Sequence, residues 1–184
     1  MKIESKKVFW ISVVLCHVLQ AAAMAESESA SQTVKLIVPD MARLGVSGEA
    51  LTLILEDPGE GFAGTDPGEA EDSSSSLEYT SVVPAGNLRK VTVQLGADLS
   101  SGYQLELKVV QSDLSQSEGI ANAIPSLSAI AQDLITNIGS CATGGSGPVL
   151  HYKFSFSAVT DLAADAAGTD HTVTFTLTEA GPPG

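Results

Sequence analysis

Two cysteines, Cys16 and Cys141, are all the chain contains, and the first falls in a segment expected to be removed. That leaves Cys141 alone, so no intramolecular disulfide can form and the core must hold the fold together. Basic residues are scarce as well, nine against 22 acidic ones. Such a surface repels phosphate backbones and anionic lipid, which argues against nucleic acid as a partner. Beyond the N-terminus, no apolar run approaches the roughly 20 residues of a transmembrane helix, so no membrane insertion is expected after leader removal. Catalytic signatures are missing too. There is no G-x-S-x-G, and Gly144, Gly145 and Gly147 are wrongly spaced for a nucleophile elbow. There is no phosphate-binding loop, no dinucleotide fingerprint and no H-E-x-x-H. His151 and His171 stand at the starts of two alternating segments, where polar residues at strand ends are ordinary. Nothing points to an enzyme.

What is present begins with an export address. Lys2, Lys6 and Lys7 precede a short apolar stretch at residues 8–19 (VFWISVVLCHVL), and Ala23-Met24-Ala25 supplies the small residues that a signal peptidase accepts. A lipoprotein signal is excluded by the bulky Leu15 before Cys16. The expected organisation is a signal peptide at 1–25, one domain at 26–179 and a frayed tail at 180–184. Loss of the leader turns nine basic and 22 acidic residues into six and 21, a formal charge of −15. The destination is outside the cell or on its surface, with the periplasm as the other compartment open to an exported chain.

Downstream, apolar residues recur with period two. Val34, Leu36 and Val38 share one face before Pro39, and Leu51, Leu53 and Leu55 share another. Further stripes are Leu77, Tyr79 and Val82; Val91, Val93 and Leu95; and Tyr103, Leu105, Leu107 and Val109. The last two are Leu150, Tyr152, Phe154 and Phe156, then Val173, Phe175 and Leu177 among outward threonines. One apolar and one polar face per strand is the pattern of antiparallel sheets that cover each other. The fold class is therefore all-β, an antiparallel immunoglobulin-like sandwich of seven to eight strands. Leu53, Val93, Leu105, Phe154, Phe175 and Leu177 are the expected core. Residues 120–138 are mixed: Ile124, Leu127, Ile130, Leu134 and Ile138 approach helical spacing, while a short strand at 127–131 followed by a helical turn is the alternative.

Three features are candidates for function. The first is residues 56–76, read as an acidic, turn-rich loop in which Asp57-Pro-Gly-Glu60 recurs as Asp66-Pro-Gly-Glu69. Calcium takes six to eight oxygens in flexible geometry, so Asp57, Glu60, Asp66, Glu69 and Asp72 form a candidate weak calcium site, the one cofactor considered. The EF-hand spacing is absent, and Ser73 to Ser76 read as a solvated tail. The second is Cys141, in the glycine-rich segment 139–147, either an incidental thiol or half of an intermolecular disulfide. The third is the backbone itself: Val34, Leu36 and Val38 are the inserting face of a candidate donor strand, or else an ordinary first strand.

The chain resembles exported bacterial sandwich proteins of the alpha-fimbrial pilin group. The likeness runs through residues 46–58 (VSGEALTLILEDP), 87–95 (NLRKVTVQL), 130–134 (IAQDL) and 164–178 (ADAAGTDHTVTFTLT). The resemblance implies a surface structural or adhesive subunit that self-associates, or joins other surface subunits, by strand addition. The alternative from another class is a monomeric extracellular binding module for calcium or carbohydrate.

Overall fold

The computed structural model describes residues 31–57, 64–145, 147–165 and 167–180. The expected leader and residues 26–30 lie outside them, as do Glu60 and the last four residues. Two compact units divide the chain, Met1–Ile37 and Val38–Gly184. In the first, the described residues 31–37 form no strand, which corrects the expectation of a first strand on Val34, Leu36 and Val38.

The second unit is all-β and built from two antiparallel sheets. Its strands are β1 (Met41–Ser47), β2 (Ala70–Val82), β3 (Leu88–Leu95), β4 (Tyr103–Val109), β5 (Ile120–Ala121), β6 (Gln132–Ile138), β7 (Cys141–Ala142), β8 (Val149–Phe156) and β9 (Val173–Ala180). One sheet runs β1-β2-β8-β4, with β7 also on β2; the other runs β5-β6-β3-β9. Seven strands are long, and β5 and β7 have two residues each. Among the described residues no helix is long and apolar enough to cross a membrane.

Alternation decides the core. Leu77 and Tyr79 of β2, Val91, Val93 and Leu95 of β3, Leu105 and Leu107 of β4 and Leu150 and Tyr152 of β8 are buried, with their polar neighbours turned out. Of the six expected core residues, Val93 and Leu105 are buried. Leu53, Phe154, Phe175 and Leu177 pack against the cluster only half-buried. Leu51 and Leu53 keep their period-two pattern yet enter no ladder, so the expected strand at 51–55 is an unpaired segment packed on the core.

One strand was not expected, and two further expectations are corrected. Residues 41–47 form β1 despite Arg43 and Gly45, because the segment pairs residue for residue with β2 from Met41↔Val82 to Ser47↔Ser76. Residues 132–138 form a strand, not a helical turn, and Leu127 lies buried outside any strand. The helical spacing there is produced by bulges: register slips between Arg89 and Thr92 of β3, and Asn137 takes a left-handed φ of 58°. Asparagine tolerates that conformation, and the extra residue brings Ile138 back to the interior. Finally, residues 70–76 belong to β2, so the acidic loop ends at residue 69, seven residues earlier than the sequence suggested.

The two long sides of the sandwich differ. On one, residues 122–128 stitch the sheets together: Leu107 and Ile124 exchange backbone bonds of 2.9 and 2.7 Å, Leu127 donates to Leu105, and Leu95 donates to Ser128. On the other side stand β1 and β9, each with a single ladder among the described residues. Gly147 fits where nothing larger can, since a Cβ there would fall 2.0 Å from the Leu77 carbonyl oxygen.

Candidate functional site

The acidic residues are scattered by the register of β2. Ala70 to Asp72 pair with β8, the ladder breaks between Asp72 and Ser75, and pairing resumes at Ser75↔Leu150. Within that bulge Asp72 Oδ1 accepts bonds from the Ser74 amide and hydroxyl at 2.8 and 2.7 Å, a local turn that occupies the carboxylate. Glu69 is paired with Lys153, and this hydrogen bond is the main reason the ammonium holds its proton more firmly than usual. Asp57 and Asp66 are exposed and outside any strand, and Glu60 lies outside the described residues. Among the described residues, no group of three or more histidine, cysteine or acidic side chains stands close enough to hold a metal ion. The structure thus does not gather Asp57, Asp66, Glu69 and Asp72 into one site.

The same bulge makes a contact that sequence spacing could not reveal. Ser73 Oγ and His151 Nδ1 are 2.8 Å apart, joining residues 78 positions distant across the β2–β8 ladder. Beside them Ser73, Ser74, Ser76, Asp113 and Gly147 line an open hollow of about 500 Å³. The serine–histidine pair is exposed, and among the described residues no carboxylate orients the imidazole. Both features of an activated nucleophile, a fixed tautomer and exclusion of water, are therefore missing from the described surroundings. Behind the bulge the hydroxyl of Ser75 is buried with no hydrogen-bond partner among the described residues.

Cys141 lies on β7 against Ser81, half-buried. Burial pushes its thiol pKa up, the nearby Glu118 charge adds to that, and the Ser81 amide offsets part of it. The neutral thiol is a weak nucleophile. Tyr79, next to it, donates its hydroxyl to the Glu118 carbonyl at 2.6 Å, and burial raises its phenol well above the ordinary value. The pair forms a packed corner where β7 meets β2.

Arg89 was not singled out by the sequence. It sits in β3, is only 5% exposed, and reaches across to the other sheet. Its guanidinium donates to the Met41 carbonyl, to Ser81 Oγ and the Val82 carbonyl, both at 3.2 Å, and to the Asp40 carboxylate. Asp40 is the only charged one of these four acceptors, and it immediately precedes β1. A buried arginine saturated by oxygen atoms is a cross-sheet pin, and it fixes the start of β1 against β2 and β3.

Two surfaces remain as candidates for association. One is residues 33–38, where Val34, Leu36 and Val38 are 68%, 87% and 77% exposed. The other is the free edge of β9, whose inward side chains Val173, Phe175 and Leu177 are half-buried. The alternating pattern marked both segments in the sequence; the pairing that leaves one outside the ladders and the other at an edge could not be read there. No family model, curated protein or solved structure matches this chain at a significant level, so its own geometry carries the functional argument.

Proposed function

We propose that this is an exported, non-enzymatic β-sandwich subunit of a surface structure, structural or adhesive, that assembles by strand addition. One observation carries the reading. Residues 33–38 alternate Val34, Leu36 and Val38 as a sheet-forming strand would, yet they belong to no ladder and their apolar side chains are exposed. Exposed alternation of that kind is an aggregation hazard in an ordinary loop. It is the composition required of a segment that completes a neighbour's sheet, where main-chain bonds give affinity and alternate side chains fill pockets. The Arg89–Asp40 pin supports the same reading, because it anchors the chain just after Pro39, so that β1 is held independently of the residues before it.

Strand addition by an arm is head-to-tail, which builds an open filament unless the rotation closes it into a ring. Deletion of residues 26–38 should leave a folded subunit that forms no filament, seen by electron microscopy and circular dichroism. A synthetic peptide of residues 31–40 should bind the deleted subunit. A deleted protein that polymerises as before, or that unfolds while the peptide fails to bind the intact chain, would overturn the reading.

A further inference from the structure

We infer that the free edge of β9 is a self-recognition surface, at which a second copy of this chain pairs antiparallel to make one continuous sheet. Three observations point to it. First, β9 is the longest edge strand among the described strands with one flank outside any ladder. It pairs with β3 alone, in unbroken register from Leu88↔Ala180 to Leu95↔Val173, and β1 of the other sheet lies near it without forming a ladder. It carries no proline, bulge or lysine, the devices that blunt edges. The other edges are protected: β5 has two residues, β4 is capped by the Leu107–Ile124 bonds, and β1 carries Arg43 and Gly45.

Second, the strand is self-complementary. A two-fold axis through Phe175 sets Thr174 opposite the partner's Thr176, and Thr172 opposite the partner's Thr178. On the inward face Val173 meets the partner's Leu177, and Phe175 meets its own copy. Thr174, Thr176 and Thr178 are exposed while Val173, Phe175 and Leu177 are half-buried, so one outward row is all threonine and one inward row all apolar. Threonine–threonine and apolar cross-strand pairs are both favourable in antiparallel sheets. At the ends, His171 faces the partner's Glu179.

Third, charge leaves this edge open. The chain has 22 acidic residues against nine basic ones, yet residues 172–178 contain none of either. Two strongly acidic copies meet with least repulsion along such a strip. The contact is isologous and closes on itself, giving a dimer, and it goes beyond arm-mediated assembly because it uses no part of residues 26–38.

The test is sedimentation velocity on residues 26–184 over a concentration series. The wild type should show a concentration-dependent dimer. Thr174→Lys with Thr176→Lys should weaken it at least about tenfold, although the two lysines lower the net negative charge and so relieve general repulsion. An unchanged melting temperature of the variant at low concentration would confirm that the subunit is intact. In a Cys141→Ser background, a mixture of Thr174→Cys and Thr176→Cys chains should form disulfide-linked dimers, and neither chain alone should. A wild type that stays monomeric, or a lysine variant that dimerises like wild type, would overturn the inference. Loss of the dimer on deleting residues 26–38 would also overturn it, by giving the contact to the arm.

Discussion

Replacing Arg89 by methionine should cost about 2–4 kcal/mol of stability, because methionine fills the space but donates nothing and each orphaned buried acceptor costs about 1–3 kcal/mol. Ser81, which is fully buried, would lose a donor to its hydroxyl, and the Met41 and Val82 carbonyls would lose theirs. Part of that loss is returned by removing a charge from the interior, since apolar replacements of buried ions are often well tolerated. Asp40→Asn is the contrasting change. The Asp40 side chain is 44% exposed, so water already screens its charge, and an asparagine oxygen still accepts from the guanidinium. The expected cost is about 1 kcal/mol. Urea denaturation at neutral pH measures both, and the double variant should resemble Arg89→Met alone, because the two residues share one interaction. Equal losses for the two single variants, or a larger loss for Asp40→Asn, would refute the reasoning: the ion pair, not the set of neutral acceptors, would then dominate.

Leu107→Ala, at a fully buried site, should cost about 2–5 kcal/mol, whereas Phe175→Ala at the half-covered edge should cost roughly half as much per atom removed and Thr174→Ser within about 0.5 kcal/mol; thermal melts order them, and equal losses would overturn the assigned faces. Alkaline pH should destabilise the protein. Burial, with a smaller contribution from the Asp72 charge, pushes the Tyr152 phenol up to about 12, and Tyr79 and Cys141 are raised as well. The unfolded chain releases these protons first, so their contribution is intact below about pH 9 and is lost as pH climbs through 10 toward 12. Denaturation at pH 8 and pH 11 should show the drop, smaller in Tyr152→Phe, and equal stability at both values would contradict it.

The strands that were legible in the sequence are those whose alternation runs longest: β3, β4 and β8 keep one parity of apolar residues from end to end, and β9 does so from Val173 to Leu177. Bulges hid the rest. In β6 adjacent Leu134 and Ile135 are both buried, with Ile138 three further on, and that spacing imitates a helix. In β2 the break after Asp72 made a run of serines read as a loop. β1 was invisible because its strandedness comes from its partner, and residues 33–38 and 51–55 carry strand-like patterns without a ladder to join. Periodicity reports which side chains want burial, not which backbone finds a partner. For the candidate sites, the arm was legible as an alternating apolar segment. The Ser73–His151 contact and the Arg89 pin join residues far apart in sequence, where no spacing rule reaches.

The pairing of β3 with β9 has a kinetic consequence. Residues 88 and 180 must meet to zip that ladder, and β2 must likewise wait for β8 some 80 residues on. Among the described strands only β1–β2 and β5–β6 join neighbours in the chain. A topology dominated by such distant partners folds on the millisecond-to-second scale, after the entropy of closing large loops has been met. During synthesis β3 therefore has an unpaired flank until β9 emerges, so that sheet closes only after both ends of the described domain have been made.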